Sequence, residues 1–366
     1  MKCLIFSVFC VVLQVRCQNP KNHWTLLPNI LVVEVDGSVG QLPLTCLSGR
    51  ELPRRSSEPQ DIYWRRNGVD EGRRGNSYLV QLEESLGGGN YSCHSRNGSL
   101  LNHTEVLIRE DRTTRRKILV KSQQGDYLKC AAHNYSGEFR CWWTWHASRV
   151  GSVAFIRVQR RSAAACRVSD AAARCSADAG GGGAGAGRWA CSTADGSFLC
   201  AVDAGGRGVS CADRQHCPYG EESRRILLTV FLRTRHFLLE DYSKDFLLSD
   251  IVKPDQVRIS AVNSNVIEWS YPSSWSSPYS YFPLTFEIAQ LRGRCKRCEN
   301  PCSDSKATKT LTVHSGRVCQ TEVKHKVKAV CIRAKDALCN SQWSEWSHFR
   351  LKRGGKRNRQ RNQRRS

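Results

Sequence analysis

The chain has 366 residues, which is too many for one small hydrophobic core and suits two to four domains. Its formal net charge of +23 favours anionic partners, and for a secreted protein we expect sulfated glycans rather than nucleic acid. No segment combines the length and the apolar composition of a transmembrane helix, which argues against an integral membrane protein.

Residues 1–17 have the pattern of a secretory signal peptide. Lys2 precedes an apolar run from Cys3 to Val15, and we expect cleavage after the small residue Cys17. The run is shorter than the roughly 20 residues that span a bilayer, so we expect no membrane anchor and a secreted, extracellular product. Three of the 19 cysteines leave with the signal, and the other 16 predict disulfides in an oxidising compartment.

Residues 18–110 have the pattern of an immunoglobulin-like domain. Cys46 is followed by Trp64 and by Cys93, and Tyr91 stands two residues before the second cysteine. This spacing is typical of a β-sandwich with one inter-sheet disulfide, a core tryptophan and a tyrosine corner. We therefore predict a bond between Cys46 and Cys93. Gly87 occupies the place of the usual acidic residue, which predicts a looser corner.

A second domain is predicted over residues 111–252. Cys130 and Cys141 flank a turn-like Asn134-Tyr135-Ser136-Gly137 segment, and neighbouring hairpin strands would bring these two cysteines within bonding range. The Ala- and Gly-rich residues 163–210 interrupt the strand pattern and predict a flexible insertion loop pinned by cysteines. For this insertion we predict that Cys175 pairs with Cys211 around a nested loop closed by Cys191 and Cys200.

A third domain is predicted over residues 253–350, beginning at a proline-containing linker. It ends in the tryptophan box, Trp343-Ser344-Glu345-Trp346-Ser347, which is preceded by the predicted strand 331–336 with Arg333 and Lys335 on one face. We expect these two cations to lie over the indole faces, so that the box is structural and does not bind a partner. Helical periodicity is almost absent, and the fold class is therefore all-β, with three consecutive β-sandwiches.

The spacing Cys295-x-x-Cys298-x-x-x-Cys302 in the third domain resembles half of a zinc site. It has no second cysteine or histidine pair at ribbon or finger spacing, so disulfides are the preferred interpretation and we expect no metal and no other cofactor. Catalytic motifs such as Gly-x-Ser-x-Gly and His-Glu-x-x-His are also missing, which argues against an enzyme.

Residues 351–366 form a basic tail with almost no apolar residue, which predicts disorder. We expect this tail to bind sulfated glycans, although a merely solvated tail is an equal alternative. Its eight basic residues are Lys352, Arg353, Lys356, Arg357, Arg359, Arg361, Arg364 and Arg365.

The tryptophan box and the paired cysteines followed by Cys141-Trp142-Trp143 resemble the signatures of type I cytokine-receptor modules, which are fibronectin type III sandwiches. An immunoglobulin-like domain followed by two such modules, without an anchor, resembles the soluble receptor-like family of the interleukin-12 and interleukin-23 β chains. The resemblance covers nearly the whole mature chain and is most specific at 134–143, 211–223, 251–255, 280–286 and 333–336. The divergence suggests a distant vertebrate source such as a fish.

This resemblance implies a secreted β subunit that is disulfide-linked to a four-helix-bundle α subunit and presents it to cell-surface cytokine receptors in immune signalling. The alternative is a free soluble receptor or decoy that binds a helical cytokine reversibly. In the family, the second cysteine of the motif that reads Cys211-x5-Cys217-Pro218 here bonds the α subunit, which implies that role for Cys217. If Cys217 bonds the α subunit, 15 of the 16 mature cysteines remain, so at least one more stays free or bonds elsewhere. Cys166 is the candidate.

The family also implies that an acidic residue of the third domain meets an α-subunit arginine among tyrosines at the hinge of the two receptor modules. Asp304 is the best sequence match, and a solvated loop aspartate is the alternative interpretation. This chain has more cysteines than the family pattern in the insertion and in the third domain, so the disulfide connectivity stays open there.

Four Asn-x-Ser/Thr sequons stand at Asn90, Asn97, Asn102 and Asn134. Asn90 lies between Gly89 and the corner Tyr91, where a bulky glycan is expected to clash. We therefore predict glycosylation of Asn97, Asn102 and Asn134. The family resemblance further implies C-mannosylation of Trp343, because Trp-x-x-Trp is the acceptor pattern.

Overall fold

The computed structural model describes residues 23–35, 40–48, 62–82, 86–110, 117–160, 197–217, 222, 224–263, 265–276, 282–292, 302, 309–313, 318–339 and 341–351. For residues 174–177 and 189–192 it gives the backbone strands alone. The predicted signal peptide and nearly all of the basic tail lie outside these ranges. No helix within them is long and apolar enough to cross a membrane.

The first eight strands all belong to the predicted immunoglobulin-like region. They are β1 (His23–Leu27), β2 (Ile30–Val35), β3 (Gly40–Thr45), β4 (Tyr63–Arg66), β5 (Val69–Arg74), β6 (Ser77–Leu82), β7 (Gly89–His94) and β8 (Leu100–Glu110).

The next nine strands follow in the region of the predicted second domain. They are β9 (Lys129–Ala131), β10 (Glu138–Trp142), β11 (Gly151–Arg160), β12 (Arg174–Ala177), β13 (Trp189–Ser192), β14 (Phe198–Val202), β15 (Gly208–Asp213), β16 (Ile226–Thr234) and β17 (Leu239–Phe246).

The remaining elements include two one-turn helices, α1 (Leu248–Ile251) and α2 (Ser273–Ser276). The last strands are β18 (Ile259–Ala261), β19 (Val266–Trp269), β20 (Leu284–Leu291), β21 (Lys309–Val313), β22 (Cys319–Glu322), β23 (Ala329–Asp336) and β24 (Ser347–Arg350). Strands therefore dominate the chain, and the predicted all-β sandwich class is confirmed.

The chain forms two compact units. The first comprises residues 1–120, 145–155 and 230–241, and the second comprises residues 121–144, 156–229 and 242–366. A three-stranded sheet has the order β11-β16-β17. The division into domains at 18–110, 111–252 and 253–350 stays a prediction.

The first unit contains the immunoglobulin-like sandwich. One sheet has the order β1-β2-β8-β7-β4-β5 and faces the two-stranded β3-β6 sheet across a common core. Trp64 is 2% exposed in this core, and its indole nitrogen donates to the Gly75 carbonyl at 2.9 Å. Cys46 and Cys93 form the predicted disulfide, with their Cα atoms 6.0 Å apart.

The tyrosine corner is closed and does not show the looseness that we expected from Gly87. The hydroxyl of Tyr91 donates to the Gly87 carbonyl at 2.8 Å. Gly87 has a φ of +99°, and a Cβ atom there would lie 2.5 Å from the Gln81 carbonyl oxygen. Only glycine tolerates this combination of backbone conformation and close approach. Glycine at this position therefore permits the corner.

In the second unit, one sheet has the order β12-β13-β14-β15-β10-β9. The predicted bond between Cys130 and Cys141 joins β9 to β10. Strands β12 to β14 and part of β15 fall within residues 163–210, so parts of the presumed flexible loop extend the sheet instead. Alanine and glycine composition concealed these strands because neither residue type signals a strand.

Both disulfides predicted within the insertion are wrong. Cys200 is bonded to Cys211 across the neighbouring strands β14 and β15, which excludes both Cys175–Cys211 and Cys191–Cys200. Strands β12 and β15 are three strand spacings apart, or about 14 Å, whereas bonded cysteines need Cα atoms within about 7 Å. The register places Cys175 opposite Cys191. Cys166 lies outside the described residues.

The remaining sheets of the second unit have the orders β18-β19-β22 and β21-β20-β23-β24. Trp269 and Phe286 are buried between them and meet edge to face. Cys302 is bonded to Cys331 on β23, which occupies the Cys302 sulfur and removes it from any zinc site. Cys295 and Cys298 lie outside the described residues, within which no cluster of metal-binding side chains occurs.

Candidate partner-binding site

Two cations on β23 and the two indoles of the tryptophan box form a ladder of alternating cations and rings. The guanidinium carbon of Arg333 lies 4.6 Å from the ring centroid of Trp343 and 4.5 Å from that of Trp346. The Lys335 ammonium lies 5.0 Å from the Trp343 ring. Each cation interacts with the negative face of an aromatic ring, as the sequence predicted.

Hydrogen bonds attach the box to the edge of β23. The Ser344 amide donates to the Ala334 carbonyl at 2.7 Å, and the Ala334 amide donates to the Ser344 hydroxyl at 2.9 Å. Arg333 also donates from Nε to the Glu287 carboxylate at 2.8 Å, across the neighbouring strand β20. Backbone and side-chain groups are thus engaged together, which supports the structural role that we predicted for the box.

The segment before the box contacts the β9 region of the same unit. The side-chain amide of Gln342 donates to the Cys130 carbonyl at 3.1 Å. The Ala132 amide donates to the Ile251 carbonyl at 3.0 Å, and the Lys253 amide donates to the Ala132 carbonyl at 2.7 Å. The Gln342 and Lys253 bonds connect the predicted third domain to the predicted second domain, the first through a side chain and the second through backbone groups.

Asp336, at the end of β23, is a completely buried carboxylate beside this junction. Its Oδ2 atom accepts a hydrogen bond from the Tyr135 hydroxyl at 2.9 Å. Its Oδ1 atom accepts from the backbone amides of Leu338 at 2.7 Å and Cys339 at 3.2 Å. Within the described ranges, none of the ion pairs includes Asp336, so its charge is held by hydrogen bonds alone.

Aromatic rings surround the partner of this carboxylate. The Tyr135 ring lies 4.7 Å from the Phe282 centroid and 5.8 Å from that of Trp275. Burial, followed by the charge of Asp336, raises the pKa of Tyr135, so this residue stays a neutral donor. Burial also raises the pKa of the free Cys339 thiol, which is hydrogen-bonded to Tyr135. The site therefore offers one anion in an apolar and aromatic setting.

Of the two predicted partner residues, the structure describes Cys217 and not Asp304. Cys217 is an exposed free thiol shortly after β15. Asp304 lies outside the described residues. Sequence reasoning did not assign Asp336, although the Arg333-Ala334-x-Asp336 pattern had been singled out as family-specific. That pattern was the available signal, and the missing information was the proximity of Tyr135, 201 residues earlier in the chain.

The predicted modification sites differ in how exposed they are. Asn97 is exposed in a turn, Asn134 is half-buried, and Asn102 is half-buried with its side-chain amide bound to the Cys46 carbonyl. Trp343 is half-buried within the ladder, and its C-mannosylation stays a prediction.

Comparison with known proteins points to one family. The family model described as "Cytokine interleukin-12p40 C-terminus" matches residues 125–234. A relative from Sigmodon hispidus named interleukin-12 subunit beta is 30% identical over 341 residues, which cover 88% of this chain and 91% of the relative. Relatives of the same name from Lama glama and Homo sapiens are 31% and 29% identical, over 88% of this chain and 92% of theirs.

These names describe a cytokine subunit and not an enzyme. The three relatives are mammalian, and the fish source stays a prediction. The alignment with the Sigmodon hispidus relative covers 88% of this chain. The structure also contains the tyrosine corner, the bond between the paired cysteines and the tryptophan ladder. The chain therefore belongs to the interleukin-12 subunit beta family.

Proposed function

We propose that this chain is the secreted, receptor-like β subunit of a heterodimeric cytokine. It bonds through Cys217 to a four-helix-bundle α subunit and presents that subunit to cell-surface receptors. Membership of a cytokine-subunit family supports the general role. The observation that carries the proposal is the buried Asp336 carboxylate, which has hydrogen-bond donors but no cation among the described residues.

Asp336 fits the expected partner acid better than Asp304 does. The family resemblance implies a third-domain carboxylate among tyrosines at the hinge of two receptor modules. Asp336 lies on β23, its contact Tyr135 comes from the predicted second domain, and both are buried. An arginine guanidinium can form two parallel hydrogen bonds to a carboxylate, and this pairing is strong where water is excluded.

Entry of such an arginine requires the site to open, because Asp336 has no exposed surface in the chain alone. The Tyr135 hydroxyl occupies one carboxylate oxygen, and an incoming guanidinium would replace or share that contact. A buried carboxylate that already has three donors gains a full counter-charge in this way. We therefore assign the partner-binding role to Asp336, with Tyr135 as its positioning residue.

Cys217 supplies the proposed covalent link. It is exposed and belongs to none of the four disulfides seen in the described part of the chain. Bond formation joins its sulfur to a cysteine sulfur of the α subunit, and the disulfide of a secretory-pathway oxidoreductase accepts the two electrons and two protons. The link makes the complex insensitive to dilution, while the Asp336 contact determines how the two subunits fit.

The test is co-expression of the chain with its α subunit in secretory cells. Cys217→Ser is expected to abolish the covalent heterodimer on non-reducing gels, while a non-covalent complex survives. In the Cys217→Ser background, Asp336→Asn is expected to weaken that complex by roughly 3–5 kcal/mol, because an incoming arginine would lose its counter-charge. Asp304→Asn in the same background is the matched control and is expected to leave the affinity unchanged.

Secretion of the β chain alone provides the folding control, because asparagine keeps the acceptor for the Leu338 and Cys339 amides. A covalent dimer that persists in Cys217→Ser would refute the bridge. Loss of affinity in Asp304→Asn and not in Asp336→Asn would reverse the assignment of the acid. Full reversibility in the unaltered chain, with Cys217 still a thiol, would identify a free soluble receptor instead.

A further inference from the structure

Asn102 is a structural residue of the immunoglobulin-like sandwich. Its Nδ2 atom donates to the Cys46 carbonyl at 2.8 Å, and its Oδ1 atom accepts from the His103 amide at 2.8 Å. Asn102 pairs in register with Cys93 on β7, and Cys93 is bonded to Cys46. The side chain thus links β8 to the end of β3 beside the inter-sheet disulfide.

An N-linked glycan at Asn102 would disturb these contacts, because the sugar replaces one of the two Nδ2 hydrogens on a half-buried side chain. The sugar is attached to Nδ2, the atom that makes the contact with Cys46. A separation of 2.8 Å between Nδ2 and the carbonyl oxygen leaves no room for a sugar carbon along that line. Loss of this donor would leave a half-buried carbonyl unsatisfied, so a chain modified here folds poorly.

Asn90 has the opposite setting. It is exposed on β7, whereas its neighbours Gly89 and Tyr91 are buried because they point to the other face of the strand. The clash that we expected from these neighbours therefore does not arise. The backbone of Asn90 is fully engaged with Asn67, whose side-chain oxygen accepts from the Asn90 amide at 2.9 Å. The side chain of Asn90 makes no hydrogen bond among the described residues.

We propose that the secreted protein carries an N-glycan on Asn90 and none on Asn102. The sequon is Asn90-Tyr91-Ser92. The donor is a lipid-linked oligosaccharide pyrophosphate: the Nδ2–C1 bond forms, the C1–oxygen bond to phosphate breaks, and Nδ2 loses one proton as the lipid pyrophosphate leaves. This inference rests on the secretion that is part of the proposed function.

The test uses the full chain secreted from vertebrate cells. Enzymatic release of N-glycans in ¹⁸O-labelled water converts each glycosylated asparagine to a labelled aspartate, which peptide mass spectrometry locates. We expect label at Asn90 and unmodified asparagine at Asn102. Label at Asn97, which is exposed in its turn, reports independently that the chain entered the secretory pathway.

Three variants separate the effect of losing a sequon from the effect of changing the Asn102 side chain. Asn90→Gln is expected to remove one glycan and leave secretion unchanged. Thr104→Ala destroys the Asn102 sequon but keeps the Asn102 amide, so neither glycan number nor secretion is expected to change. Asn102→Gln is expected to lower secretion, because the longer side chain displaces the amide from the Cys46 carbonyl, without loss of a glycan.

Labelled Asn102, or loss of a glycan in Thr104→Ala, would overturn the inference. Unmodified Asn90 beside labelled Asn97 would overturn it as well and leave the proposed function intact. A secreted chain without any glycan would overturn this inference, whereas a chain that stays inside the cells would contradict the secretion in the proposed function.

Discussion

Replacement of Arg333 by alanine tests whether the cation ladder stabilises the fold. Arg333 lies between two indoles, with its guanidinium carbon 4.6 Å from one ring centroid and 4.5 Å from the other. The same group is paired with Glu287 at 2.6 Å, and the two side chains are only 28% and 20% exposed. Alanine removes all three contacts and leaves the Glu287 carboxylate without this cation.

The expected cost follows from these contacts. A cation over an indole contributes about 0.5–1 kcal/mol at exposed sites and about 2 kcal/mol when it is desolvated. Loss of the donor to a largely buried carboxylate adds roughly 1–3 kcal/mol. The contributions share one side chain and are not additive, so we expect Arg333→Ala to lower the free energy of unfolding by about 3–5 kcal/mol.

Lys335→Ala is the matched control, because Lys335 contacts only the outer Trp343 ring at 5.0 Å in the ladder. Its expected cost is about 0.5–1 kcal/mol. Guanidinium unfolding followed by tryptophan fluorescence measures both variants, and secreted yield provides a second readout. Equal destabilisation by Arg333→Ala and Lys335→Ala would refute the reasoning. Normal secretion of Arg333→Ala with selective loss of receptor binding would show instead that the box binds a partner.

Three other predictions concern the sandwich and the tail. Gly87→Ala is expected to cost roughly 2 kcal/mol or more in thermal unfolding, because φ is +99° and the new Cβ meets the Gln81 carbonyl at 2.5 Å; an unchanged melting temperature would contradict this. Burial raises the pKa of Tyr91 from 10.0 to about 12. The contribution of protonated Tyr91 to the free energy of unfolding is therefore complete below about pH 10 and is lost as the pH rises through about 12. Tyr91→Phe should remove this pH dependence. Deletion of residues 352–366 is expected to leave folding intact and to lower the salt concentration for elution from heparin, whereas unchanged elution would argue for a merely solvated tail.

The sequence alone predicted the features that depend on short spacing. The pattern of Cys46, Trp64 and Cys93 specified one sandwich with its disulfide, and Cys130 and Cys141 flank a hairpin turn and are bonded. The ladder was also predictable, because alternate residues of one strand share a face and two tryptophans follow at fixed spacing. In each case the partners are neighbours in the chain or belong to a well-known pattern of spacing.

The tertiary structure alone decided which distant groups meet. Cys200 pairs with Cys211 because β14 and β15 are adjacent, and sheet order cannot be read from the spacing of cysteines in an Ala- and Gly-rich segment. Asp336 is a buried anion because its strand ends beside Tyr135, 201 residues away. In the sequence it looks like any aspartate at the end of a strand. Burial and charge pairing arise from the packing of separate chain segments, whereas local spacing determines which strands and bonds can form within each segment.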